Sequence, residues 1–180
     1  MAAKQLQFQG KLLKKPAAKF GGSLLKGNHP KGKRPLDSKF PIHVVLRAKK
    51  GGMRLNTTLP QVNHMVAETA KRRGVKIYRY ANVGNHLHIV IKLSKVGQWS
   101  AFIRELSGRI ASLMREKGIT ASGEGFWLNR PFTNLVRSWK TGYKALCEYV
   151  YLNWLEAEGF INRRQTKNLS ELHAMWKDPP

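Results

Sequence analysis

From Phe40 to Val136 the apolar residues change period in an order that few architectures accept: strand, helix, strand, strand, helix, strand. "PIHVVLRA" alternates, with Ile42, Val44 and Leu46 on one side and His43, Val45 and Arg47 on the other. "LPQVNHMVAETAKRRG" has the spacing of a helix opened near Pro60 and stopped by Gly74. "VKIYRYANV" alternates again, with Val75, Ile77 and Tyr80 among its apolar members, and Gly84-Asn85 suits a tight turn into the strand "HLHIVIKL". "GQWSAFIRELSGRIASLMREKG" repeats Phe102, Leu106, Ile110 and Leu113 on one helical face, and "FWLNRPFTNLV" is a short strand-like run. A further helix spans Thr141 to Glu158 and ends at Gly159. This order is that of an α+β, ferredoxin-like split βαβ fold: an antiparallel sheet of four to five strands, the first and third of these strands central neighbours, plus a C-terminal helix.

Charge restricts the partner. The chain carries 33 Lys+Arg against 10 Asp+Glu, a formal net charge of +23 over 180 residues. Such an excess calls for a polyanion. No long uncharged apolar span and no secretory pattern accompanies it, so nucleic acid is expected and a membrane is not. Cys147 is the only cysteine, which excludes an intrachain disulfide and a cysteine-based zinc motif and points to a cytoplasmic location, nucleoid-associated if the polyanion is DNA. The basic residues are concentrated at the start. Residues 1–38 contain Lys14, Lys15, Lys33 and Arg34, no acidic residue before Asp37, and the Gly- and Pro-punctuated "FGGSLLKGNHPKGKRP". They are expected to form a flexible nucleic-acid-binding arm, followed by one folded domain over residues 39–162 and a tail over 163–180.

The strand "HLHIVIKL" has two unlike faces. Leu87, Ile89, Ile91 and Leu93 point to one side, where the two earlier helices can cover them. His86 and His88 point to the other, where both imidazoles can reach one point in space, and His43 and Arg47 of the first strand should join that face. A His-x-His pair is a weak motif alone, equally compatible with packing at a strand end and with half of a metal site. In the last helix, Tyr143, Leu146, Cys147, Val150, Trp154 and Ala157 form the buried face at 100° per residue, Tyr149 and Asn153 share one flank, and Tyr151 falls on the opposite one.

Taken together, and in this order along the chain, "PIHVVLR", "GNHLHIVI", "WLNRPF" and "YVYLNW" resemble the motifs of the REP-associated tyrosine transposases, single-tyrosine HUH nucleases in which two histidines flank a hydrophobic residue. The resemblance covers about Phe40 to Phe160, with Trp154 where the family helix has proline. It implies that His86, His88 and Asn153 are ligands of Mg²⁺ or Mn²⁺ and that Tyr149 is the nucleophile. His43 is then a second-shell partner or merely a neighbour on the polar face. The implied activity is cleavage and rejoining of single-stranded DNA through a covalent phosphotyrosine, at hairpin-forming repeats, by a monomer or a homodimer. A divalent cation neutralises charge on a non-bridging phosphate oxygen in such chemistry.

Arg47, Arg130, Arg137 and Lys140 flank the expected site and, with the arm, are candidates to hold phosphates, while Trp99 or Trp127 could stack unpaired bases. The rival reading is a non-catalytic nucleic-acid-binding module, a domesticated transposase or an RNA binder. A basic structural protein of a ribonucleoprotein is a third.

Overall fold

The structure, a computed structural model, describes residues 20–22 and 33–162. The elements are β1 (Phe20–Gly21), β2 (Ile42–Arg47), α1 (Leu59–Arg72), β3 (Lys76–Asn82), β4 (His86–Lys92), α2 (Gln98–Glu116), β5 (Phe132–Leu135) and α3 (Thr141–Glu158). All strand pairs are antiparallel, and the sheet order is β1-β5-β2-β4-β3. The expected α+β fold and the central β2–β4 pair are therefore present. The last strand is shorter than the run "FWLNRPFTNLV": Pro131 lacks the N–H a ladder needs, so pairing proper starts at Phe132, with an isolated bridge from Trp127 to Ala48.

One face of the sheet is apolar. Ile42, Val44 and Leu46 of β2 and Leu87, Ile89 and Ile91 of β4 are almost completely buried, against Val62 and Val66 of α1 and Phe102, Leu106 and Ile110 of α2. Phe102 has no exposed surface, and burial of a side chain of that size contributes about 1.5–3 kcal/mol. The outer rim of the two helices is tied by ions rather than packing: Arg109 binds Glu68 and Arg73 binds Glu105.

Strict alternation fails in β3. A register shift between Ile77 and Arg79 places Ile77 and Tyr80 against the same core although they are three residues apart, and Tyr78 turns to the other face. A one-residue bulge has this effect, because the extra residue moves all later side chains to the opposite side.

The second face is divided. α3 packs on β3 and β4, where Ala81 and Val90 meet Leu146 and Val150. The buried side of α3 is close to the expected one, with Leu155 and Asn153 also buried. Gly159, with φ of 82°, ends the helix in the left-handed conformation that glycine adopts at least cost.

Within the segment expected to be an arm, the described residues 20–22 and 33–38 touch the sheet. Phe20 and Gly21 pair with Asn134 and Thr133, and Arg34 donates to the carbonyl of Pro131 at 2.7 Å and to Thr133 Oγ1 at 2.8 Å. Part of the segment is thus an edge strand of the sheet, held by backbone and side-chain groups of β5 and of Pro131 before it, about a hundred positions further along the chain. Lys14, Lys15 and the tail over residues 163–180 lie outside the described residues.

Candidate active site

β4 carries the two histidines because its turn forces their phase. Gly84 takes φ of 91°, the sign a two-residue hairpin requires, and the Val83 amide donates to the His86 carbonyl at 3.0 Å. With Leu87 committed to the apolar core, His86 and His88 must face the other way. Their ring centroids are 4.7 Å apart.

β2 adds His43 from the neighbouring strand. Its Nε2 is 3.0 Å from His88 Nδ1, and the two rings stack with centroids 5.3 Å apart. α3 then brings in Tyr149 edge-on to both, 5.3 Å from the His88 centroid and 6.0 Å from that of His43. The four side chains line a cleft of about 230 Å³ with Val45, Arg47 and Phe132. His43 and His88 are buried at 7% and 3% exposure, whereas Tyr149 is 43% exposed, so a ligand from solvent meets the phenol first.

Burial sets the charge state. Loss of hydration pushes the His43 pKa down to about 4. His86 is lowered as well, first by its partial burial and then by the positive charge of Arg47. Both rings are neutral near pH 7, the form that offers a lone pair. His86 Nδ1 lies 2.6 Å from Asn85 Oδ1; a carbonyl oxygen accepts, so the proton is on Nδ1 and the lone pair on Nε2. With His88 Nδ1 engaged by His43, the nitrogen of His88 available to an ion would likewise be Nε2.

Two neutral imidazoles beside a phenol suit a divalent cation that completes its shell with oxygen. Among the described residues no group of three or more His, Cys, Asp or Glu is placed to hold a metal, so amide, phosphate or water oxygens would have to fill the other positions. Asn153 is one turn beyond Tyr149 and 8% exposed, its amide donating to the Tyr149 carbonyl at 2.7 Å. It is not among the residues lining the cleft. The structure therefore brings His43, His86, His88 and Tyr149 together and leaves Asn153 on its helix. Tyr151 stacks on Trp154, 5.6 Å away, outside the cleft.

The expected phosphate-binding residues divide. Arg47 lines the cleft and is exposed; Arg130, Arg137, Lys140 and Lys33 are exposed but are not among the residues lining it. Arg34 is half-buried and spends its guanidinium on Pro131 and Thr133, with Trp99 5.1 Å away, which makes it part of the scaffold. Neither expected stacking tryptophan is presented. Trp99 is 7% exposed, and Trp127 is partly buried and donates its Nε1–H to the Ser107 carbonyl at 2.9 Å. The exposed tryptophan among the described residues is Trp139, which packs against Tyr78 and Tyr143.

Two features of the site had no signal in the linear pattern. Phe132 enters the cleft because it pairs with Val45 across the β2–β5 ladder. Arg54 clamps both oxygens of Glu158 at 3.1 and 3.0 Å and donates to the Asn82 carbonyl at 3.0 Å, fastening the far end of α3 to the sheet.

Comparison with known proteins bears on the fold and the family. No curated protein matches the chain. Among solved structures, a REP-associated tyrosine transposase bound to a REP hairpin shares the fold, with a TM-score of 0.58 at 16% identity over 74% of this chain and 76% of that one. Residues 37–150, which include His43, His86, His88 and Tyr149, match the family model of IS200-like transposases. With well over half of its length matched, the chain belongs to the IS200-like transposase family.

Proposed function

We propose that this transposase cuts and rejoins single-stranded DNA through Tyr149, with Mg²⁺ or Mn²⁺ held by His86 and His88, at single-stranded or hairpin-forming repeats. One observation carries the reading: residues from a strand and from a helix some sixty positions later converge, with the Tyr149 ring 5.3 Å from that of His88. Phenol and imidazole pairs of this kind serve no obvious packing need, since Tyr149 is substantially exposed.

The chain's own residues do the following. Arg47 binds the phosphodiester at the mouth of the cleft. His43 orients His88 through the contact at 3.0 Å. The apolar pairing of Val150 and Leu146 with Ala81 and Val90 fixes the phase of α3, so that the phenol oxygen meets the phosphorus. As the Oη–P bond forms, the phenol loses its proton; the P–O bond to the neighbouring nucleotide breaks, and the departing oxygen gains one. The products are a phosphotyrosine on one DNA end and a hydroxyl on the other, and the reverse reaction with a different hydroxyl rejoins the strand. A bound divalent cation would supply charge neutralisation at a non-bridging phosphate oxygen.

The test is a denaturant-resistant protein–DNA adduct on incubation with single-stranded DNA and Mg²⁺ or Mn²⁺. It is expected with the native chain and with Tyr151→Phe, and not with Tyr149→Phe. The rival, a non-catalytic binding module, is favoured by the position of Asn153 outside the cleft lining. Tight DNA binding with no adduct under either metal is the result that would establish it.

A further inference from the structure

We propose that Phe20 and Phe132 form a platform that stacks an unpaired base of the DNA strand whose phosphate occupies the histidine cleft. The inference rests on the function proposed above, but on residues that function does not use. Phe20 also lies outside the matched residues 37–150, so family membership assigns it nothing.

Register places the pair on the catalytic face. Phe20 is opposite Asn134, Asn134 opposite His43, and His43 opposite Val90. Phe132 is opposite Val45, which is opposite His88. Residues directly opposite in antiparallel ladders share a face, so Phe20, Phe132, His43 and His88 all project to one side. α3 packs over β3 and β4 on that side, which leaves the β1–β5 end beside the cleft. There the Phe20 and Phe132 rings stack with centroids 5.9 Å apart and planes inclined by 23°. Phe132 lines the cleft, and Phe20 extends the aromatic surface outward at 59% exposure.

A single exposed phenylalanine is ordinary on a protein surface. This one is different because the chain is built to hold it there. A strand of two residues cannot be kept by its own ladder. β1 is pinned from the opposite face, where a Cβ on Gly21 would come within 2.8 Å of Arg34 Cγ and 2.9 Å of Thr133 Oγ1. At Gly22, φ is 79° and a Cβ would lie 2.0 Å from the Pro131 carbonyl oxygen. Arg34 closes over this seam with its two bonds to Pro131 and Thr133. Only glycines allow so close an approach, and the result of the approach is the position of Phe20.

The occupant follows from charge and reach. The cleft mouth carries Arg47, with Arg130 close to Arg34, on a chain of net charge +23, so an apolar ring surface beside it fits a polyanion that also bears flat rings. Base–aromatic stacking is tolerant of sequence, as every base has a π-face. β1 is two strands from β2, roughly 10 Å at ~4.8 Å per strand. That is within a few nucleotides of the cleft, each spanning ~3.4 Å when stacked. A base in a duplex has no free face to offer, so the platform selects the unpaired segment.

Full-length protein, a labelled single-stranded oligothymidylate and a duplex of equal length decide the matter by fluorescence anisotropy. Phe20→Ala is expected to weaken single-strand binding about tenfold and leave duplex binding unchanged. Phe20→Tyr restores it, and Phe20→Trp adds an emission that the oligonucleotide quenches beyond the native signal. The adduct assay on the same samples separates this proposal from the enzymatic reading. An adduct in the native chain with Phe20→Ala binding as tightly as native overturns the platform alone. No adduct in the native chain, with the tenfold loss still present, overturns the enzyme and keeps the platform. Tighter single-strand binding in Phe20→Ala means the chain's own arm covers the rings. A concentration-dependent dimer lost in that variant, with DNA affinity unaltered, means a second copy does. Either of these outcomes overturns the proposal.

Discussion

His43 and His88 meet across the β2–β4 ladder, Nε2 to Nδ1 at 3.0 Å, and this contact engages Nδ1 and leaves Nε2 as the nitrogen through which His88 would meet an ion. For His88 to present a lone pair at Nε2, its proton must sit on Nδ1 and be donated to His43.

His43→Ala is therefore expected to lower Mn²⁺ affinity about 10- to 100-fold while single-stranded DNA binding without metal stays near native. Isothermal titration calorimetry reads the first and anisotropy in EDTA the second. Equal Mn²⁺ affinity in the variant would show that His43 is only a packing neighbour.

Arg47 and Arg34 should behave oppositely, although both were candidates for phosphate binding. Arg47 is exposed at the cleft, so Arg47→Ala is expected to weaken DNA binding irrespective of sequence and to reduce the slope of log K against log salt by ~0.7, one phosphate contact on a single strand.

Arg34 makes two bonds within the chain, and burial is the first reason its pKa is lowered, followed by Arg130. Arg34→Ala should cost about 1–3 kcal/mol in a urea unfolding curve, release β1, and leave the salt slope unchanged. A changed slope with native stability would return Arg34 to the DNA interface.

The Arg54–Glu158 clamp should govern the far end of the tyrosine helix. A double-mutant cycle of Arg54→Ala and Glu158→Gln is expected to give a coupling of about 1 kcal/mol, modest because both groups touch solvent. Amide exchange near Leu155 should quicken in either single variant. The Arg54 hydrogen bonds hold the Glu158 carboxyl below its ordinary 4.5, against the opposing effect of burial. Its folded pKa is thus depressed, so the contribution is full above about pH 4.5 and is lost as pH falls through the lower folded value. The Glu158→Gln variant should lack that part of the acid dependence.

Some of the site was legible from residue order alone. The alternation of His86-Leu87-His88-Ile89 assigned faces because one residue of slip would bury both imidazoles in the apolar core and expose two aliphatic chains. The same holds for His43 between Ile42 and Val44. In α3, helical phase separated Tyr149 from Tyr151, and the cleft contains the former. The tryptophans were not legible: Trp99 and Trp139 are alike as letters, and only packing makes one buried and the other exposed. The β3 bulge was equally hidden, since a single inserted residue leaves composition and most of the period intact.

Local periodicity thus determined the elements, their order and the side of each strand that bears histidine, because those depend on neighbours within a few residues. Tertiary contacts decided that Phe20 stacks on Phe132, that Arg34 bonds to Pro131 and Thr133, that Glu158 is clamped by Arg54, and that the Asn153 amide stays on its own helix. The first three join residues about a hundred positions apart, and the register or seat that brings them together is a property of the packed sheet as a whole. The fourth is a competition between a helix carbonyl and the cleft, which is decided by how α3 is seated on β3 and β4.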